Sequence, residues 1–206
     1  MGIMNLLKGN WSGRVGQTVG SKWKDKSTIR SYAKPSNPNT PDQQTTRTGF
    51  AAVSAFVALF ADMIKRFSSL DIRSMSVRNA ILSLNSTQVA TGALVPSTLK
   101  VNKGGLPNAS GFSASVAAGL ASLTALWTPP TASTISADAV MVVVAVDKAD
   151  SRAYVKTALA STGTVVITES FAANANLDVY HYIIDYRGSS KVGSPSAYTA
   201  VTAPAA

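Results

Sequence analysis

Apolar residues recur at steps of three and four along one stretch: Phe50, Val53, Phe56, Val57, Phe60, Met63, Ile64 and Phe67. The spacing predicts a single amphipathic helix over 41–67, about seven turns long. Thr40 can cap it, Pro41 suits the first helical position because it has no N–H to leave unpaired, and Gln43 completes a Thr-x-x-Gln box. Upstream, Asn37-Pro38 and Thr40-Pro41 hold the chain extended. Lys65 and Arg66 lie where the negative end of the helix dipole favours cations. A shorter second helix is expected over 75–85, with Val77, Ile81 and Leu84 on one face, and 85–95 reads as loop or irregular strand.

Beyond Lys103-Gly104-Gly105-Leu106-Pro107-Asn108 the pattern changes from helical spacing to short β runs. Strands are expected at 112–117, 120–127, 139–146, 153–159, 164–168, 179–186 and 198–201, with turn residues at intervals of about ten. Val140–Val146 is almost continuously β-branched, the signature of a central strand buried on both faces. On the strand 179–186, Tyr180, Tyr182, Ile184 and Tyr186 share one face, and His181, Ile183 and Asp185 the other. The glycine-proline break predicts a domain boundary, with 109–206 able to fold alone.

The first forty residues have neither pattern. Gly2, Gly9, Gly13, Gly16 and Gly20 punctuate Trp11, Val15, Val19 and Trp23. From Gly20 to Tyr32 the alternation predicts a hairpin turning at Asp25-Lys26. Aromatic and basic residues interleave here, and the candidate interaction residues are Trp11, Arg14, Lys22, Trp23, Lys24, Lys26, Arg30 and Tyr32, with Arg47 on the helix. Such a set suits a phosphate backbone with stacked bases, and suits a protein groove equally. A packed ribbon with a polar rim would also account for it. Residues 13–20 form no phosphate loop, since no Gly-Lys-Ser/Thr closes them.

Charge sharpens the division. Lys8, Arg14, Lys22, Lys24, Lys26, Arg30, Lys34 and Arg47 stand against Asp25 and Asp42, so residues 1–50 carry +6 of a formal total of +9. Residues 111–206 come to −1. A basic front on a neutral back points to a polyanion or an acidic partner. The chain has no cysteine, which excludes disulfides and thiolate metal sites. Met1–Leu7 is too short for a signal peptide and no run approaches the roughly 20 apolar residues of a membrane span, so the expectation is a soluble chain made in the cytoplasm.

Two resemblances follow from particular residues. Ser122–Pro130, with its tryptophan and following prolines, resembles the second strand of fibronectin type III domains. Val179–Tyr186 with Gly193-Ser194-Pro195-Ser196 resembles their last two strands. The front half resembles an uncharacterised family common in Bacteroidota and in phage genomes. The matching residues are Gly13, Arg14, Val15, Gly16; Gly20, Ser21, Trp23, Lys24; Arg30; Pro35, Asn37, Pro38, Thr40; and Gln43 or Gln44, Arg47, Phe50. Asp25 departs from it, where the family more often has glycine. That family places an immunoglobulin-like domain after its helical part. The expected fold is therefore α+β: a basic glycine-rich β-ribbon arm (1–40), a helical segment (41–103) and an immunoglobulin-like, fibronectin type III-like sandwich (109–206).

No catalytic constellation is present. His181 is the only histidine and reads as a satisfied core or rim residue. Asp138, Asp147, Asp150 and Asp185 match no calcium loop, and turn chemistry accounts for Asp147 and Asp150. Neither a cofactor nor a metal is expected, and the chain is not expected to be an enzyme. Occurrence in phage genomes implies a particle component located in the virion. The function expected is therefore a structural or assembly protein of a phage-like particle, its arm binding other copies of itself or other particle proteins and its sandwich displayed. The alternatives are a nucleic-acid-binding protein using the basic half, and a surface adhesion module.

Overall fold

The computed structural model describes residues 3–5, 10–23, 26–34, 36, 39–70, 75–131, 135–187 and 190–205, with side chains excluded at 3–5, 10, 11, 23 and 26. The chain divides into two compact units, 1–40 and 41–206.

In the first unit, β1 (Ile3–Asn5), β2 (Asn10–Val15), β3 (Thr18–Trp23) and β4 (Lys26–Ser31) form an antiparallel meander in sequence order. Val15 pairs with Thr18, leaving Gly16-Gln17 as a two-residue turn, with Gly16 at φ +58°. A glycine in first place is what such turns require. In the 20–32 hairpin Trp23 pairs with Lys26, so Lys26 begins a strand and is not a turn residue. Lys24 and Asp25, between them, lie outside the described residues, as do Lys8, Pro35, Asn37 and Pro38.

The second unit begins with α1 (Pro41–Ala58), which starts at the expected proline. The predicted helix to 67 ends as regular α structure at Ala58. Turns continue the path, with Ala61 N–H donating to Val57 O (3.0 Å) and Ile64 N–H to Phe60 O (3.2 Å), before a 3-10 turn over Lys65–Phe67. The stripe survives this change: Val53, Phe56, Val57, Phe60 and Ile64 are buried. Phe50 and Met63, predicted on it, are half exposed. α2 (Val77–Leu84) is capped by Ser76 Oγ, which accepts from Asn79 N–H (3.2 Å). The stretch 85–95 is not all loop, because α3 (Ser86–Thr91) occupies its first half and closes on Gly92 at φ +75°. Gly49 lets α3 approach α1: a Cβ there would stand 2.2 Å from Val89 O. Propensity alone hides so short a helix, and the close packing sustains it.

Eight strands complete the unit. They are β5 (Ser110–Val116), β6 (Leu123–Thr128), β7 (Val140–Asp147), β8 (Arg152–Leu159), β9 (Thr164–Ile167), β10 (Asn176–Arg187), β11 (Ser190–Gly193) and β12 (Ala197–Thr202). β5-β6-β9 form one sheet. In the other, β8, β7 and β10 are neighbours, and β11 and β12 take successive lengths of the free edge of β10. Between β11 and β12 the ladder is carried by a side chain: Ser194 Oγ accepts Ile183 N–H (2.8 Å), while Ser194 N–H donates to Ile183 O (2.9 Å).

The larger sheet has both faces covered, which is why β7 and β10 are buried almost throughout. Met141, Val143, Ala145, Leu177, Val179 and Ile183 pack towards the smaller sheet with Trp127, whose indole N–H donates to Ala160 O (2.8 Å). Val142, Val144, Val146, Tyr180, Tyr182 and Ile184 pack on the helices against Phe56, Phe60, Ile64 and Ile81. The Phe56 ring meets Tyr180 edge-on at 6.3 Å, and Tyr180 OH donates to Pro96 O (2.9 Å). The result is three layers: helices, five-stranded sheet, three-stranded sheet.

The segment expected as a boundary at 104–107 lies within the second compact unit. That segment is held inside one body, with Leu106 N–H donating to Gly193 O (3.1 Å). A Cβ on Gly104 would fall 1.6 Å from the same carbonyl. Buried Asn102 ties the layers, its Oδ1 accepting from Ser69 N–H (3.1 Å) and its Nδ2 donating to Ser194 O (2.9 Å). The helical segment and the sandwich thus share a core, and neither closes its apolar surface alone.

Candidate interaction surface of the N-terminal sheet

The register of the first unit sorts its residues into two faces. Arg14, Val19 and Arg30 stand in one row across β2, β3 and β4. Gly13, Gly20 and Ile29 make the next row, and Val15, Thr18 and Ser31 another. Because side chains alternate, the arginines and Val19 project from one face, and Val15 and Ile29 from the other. Val15 is 51 % exposed and Ile29 66 %. Thr18, Lys22, Ser27 and Ser31 share that second face by the same alternation, and Gly20 within it is buried.

The turn end of the sheet is ordered by Arg14. Its Nε donates to Gly16 O (2.8 Å), and its guanidinium lies 3.6 Å from the centroid of the Tyr32 ring. Tyr32 N–H donates to Gln17 O (2.6 Å), fixing the end of the arm beside the turn. Ser21 and Thr28 hydroxyls bond across β3 and β4 at 2.8 Å. Lys22 and Arg30 are exposed.

Of the nine candidate residues, the structure therefore brings Arg14 and Tyr32 into contact and sets Arg30 in register with Arg14. Trp11 stands opposite Met4 and Trp23 opposite Lys26 in the ladders. The side chains of Trp11, Trp23 and Lys26 lie outside the described residues, as does all of Lys24. Arg47 belongs to the other unit, exposed on α1. The two-faced arrangement of Val15 and Ile29 against Arg14 and Arg30 follows from register, which the glycine-rich sequence leaves open.

In the second unit several titratable groups are buried. His181, expected at the core or rim on the face opposite the tyrosines, is buried between the sheets and stacks on Phe112 at 3.6 Å with ring planes 9° apart. It is not fully satisfied, for its Nδ1 has no hydrogen-bond partner among the described residues. Burial lowers its pKa to about 4. Asp185 is fully buried; that alone would raise its pKa, yet hydrogen bonds from Ser136 and Arg187 hold it below the ordinary carboxylate value. Asp178 accepts from Tyr198 OH (2.8 Å) and pairs with Lys148 (3.1 Å). Burial, then the bond to Asp178, pushes the Tyr198 phenol up to about 12. Asp147 Oδ1 accepts from Ala149 N–H (2.9 Å), the turn role expected of it. Among the described residues no three His, Cys, Asp or Glu side chains gather as a metal site, and no helix is long and apolar enough to cross a membrane.

Several solved structures resemble this chain. The fn3 domain of the human collagen alpha-1(XX) chain, solved in solution, matches 50 % of this chain and 86 % of its own, at 13 % identity and a TM-score of 0.34. No curated protein matches. A family described as a family of unknown function, DUF6266, matches residues 9–197, a span that reaches from β1–β2 to β12, and the chain belongs to that family.

Proposed function

We propose that this chain is a non-enzymatic assembly protein whose N-terminal sheet docks onto neighbouring subunits while the three-layered body is carried as a displayed module. The observation that carries the reading is the exposure of two large apolar side chains, Val15 and Ile29, on one face of the small sheet. Large apolar side chains left half or more exposed on glycine-rich strands do little to offset the entropy of ordering that backbone. A surface from another subunit would supply the missing burial. The Gly-Ser-x-Trp-Lys and Pro-x-Asn-Pro-x-Thr motifs, with their resemblance to phage-encoded proteins, make a phage-like particle the assembly in question and the virion its location.

The test is removal of residues 1–34, with Ile29→Glu as the point variant. Both should leave a folded body, by circular dichroism, that sediments without joining the assembly. Normal assembly by both variants would refute the reading.

A second reading rests on the opposite face. Arg14 and Arg30 flank Val19 in one row, an arrangement that could lie along a phosphate backbone. If the truncated chain assembles normally but loses retention of nucleic acid, with wild-type binding that weakens steeply as salt rises, this second reading holds.

A further inference from the structure

We infer that β5 is an acid-released strand: protonation of His181, on which Phe112 is seated, frees the Ser110–Val116 segment from the edge of the sandwich while the layers beneath stay folded. The geometry is specific. β5 is an edge strand whose ladder is made with β6 alone, and the register shifts between Ser110 and Ser113. Gly111 sits at φ +61° in that irregularity, and Phe112 beside it stacks on the imidazole. Val116, near the strand's end, is its most buried side chain, so Phe112 is the main apolar attachment of its first half. A strand with one interrupted ladder and one buried anchor belongs to the low-stability end of a fold.

At His181 the described residues place no acceptor for the N–H that a second proton would create. Its Nδ1 is buried without a partner, so an imidazolium would carry an unpaired N–H into the core. β5, β6 and β9 contain no titratable side chain. On β7, opposite, its register partner is Val143, and Asp147 lies at the far end, accepting from Ala149. On β12 its partner is Ala197, and Tyr198 bonds to Asp178. Along β10, Asp178, Tyr180 and Tyr182 alternate to the helix side, while Asp185, on the same face as His181, is engaged by Ser136 and Arg187. The stacked Phe112 ring would return a cation only a modest attraction. That is less than the cost of burying it.

The sign follows from linkage. Neutral His181 is favoured in the closed state, so opening takes up a proton. Opening therefore grows as pH falls below the ordinary value of 6.5 and levels off near 4. Between pH 7 and pH 5 the open fraction of β5 should rise roughly 20-fold.

Hydrogen exchange on the whole chain reads this directly, after correction for intrinsic rates. Protection of the 110–116 amides should fall roughly 20-fold from pH 7 to pH 5, with the β7 amides unchanged over that interval. His181→Phe, which keeps an aromatic seat without the titration, should hold β5 protection constant. His181→Gln serves as the second variant should phenylalanine overpack, and should be equally insensitive to pH. Protection of β5 that is the same at both pH values in the wild type overturns the inference. So does an acid loss that persists in either variant, or one shared equally by β7.

Discussion

Removing the helical segment should unfold the sandwich. A fragment of residues 109–206 retains every strand from β5 to β12 and loses the layer that covers one face of the larger sheet. Val142, Val144, Tyr180, Tyr182 and Ile184 are each 0 % exposed beneath that layer, and Val146 with them. Full exposure of a large apolar side chain costs about 1.5–3 kcal/mol. Six of them put the loss on the order of 10 kcal/mol, a figure that is an upper bound because unfolded chains are partly compact. Even half of it matches the lower end of a whole domain's stability, about 5–15 kcal/mol. The fragment would also lose Asn102, whose Nδ2 holds Ser194 O, and the Leu106 bond to Gly193. The assay is urea unfolding followed by near-ultraviolet circular dichroism, with sedimentation to detect association, on 109–206 beside 41–206. The longer chain should unfold in one cooperative transition, and the fragment should show no fixed tertiary signal or should aggregate. A monomeric fragment with a cooperative transition near that of 41–206 would refute the reasoning, and would restore the boundary at the Gly104-Gly105 break.

Two substitutions test the packing with opposite signs. Gly49→Ala normally gains about 1 kcal/mol in a helix, but here the new Cβ would meet Val89 O at 2.2 Å and Gly92 Cα at 2.8 Å; a net loss of about 1–3 kcal/mol is expected in urea titration, and a gain would show that α1 and α3 are not in contact. Tyr182→Phe removes a buried hydroxyl with no hydrogen-bond partner among the described residues. It should therefore be neutral or stabilise by up to about 1 kcal/mol, whereas a loss above that would mean the hydroxyl is bonded.

Local chemistry made some elements readable directly. Pro41 after Thr40 marks the start of α1, and the Val53–Ile64 spacing marks the buried stripe even where the regular helix stops. The unbroken Val140–Val146 run announces a strand covered on both sides, which β7 is. Alternation on 179–186 separates the tyrosine face from the His181 face, and the structure keeps that separation between its two cores. The candidate arm residues were legible as an interleaved aromatic and basic set, but not as two faces. Glycine at five positions in the first twenty leaves register weakly specified, and register is what opposes Arg14 and Arg30 to Val15 and Ile29.

What only the tertiary structure decided is who covers whom. A run of β-branched residues states that both faces of β7 must be buried, and is silent on whether a sheet or a helix does it. The Gly104-Gly105 pair reads as a flexible break because glycine permits flexibility. Here glycine is required for the opposite reason, since the backbone at Gly104 passes so close to Gly193 that no side chain fits. The same holds for His181. Sequence places it on the inner face of a strand, but the partner that matters, Phe112, is nearly seventy residues away and reaches it through an irregularity at Gly111. Periodicity is a property of neighbours along the chain, whereas shared cores and close approaches belong to residues distant in sequence, and only the folded chain brings those together.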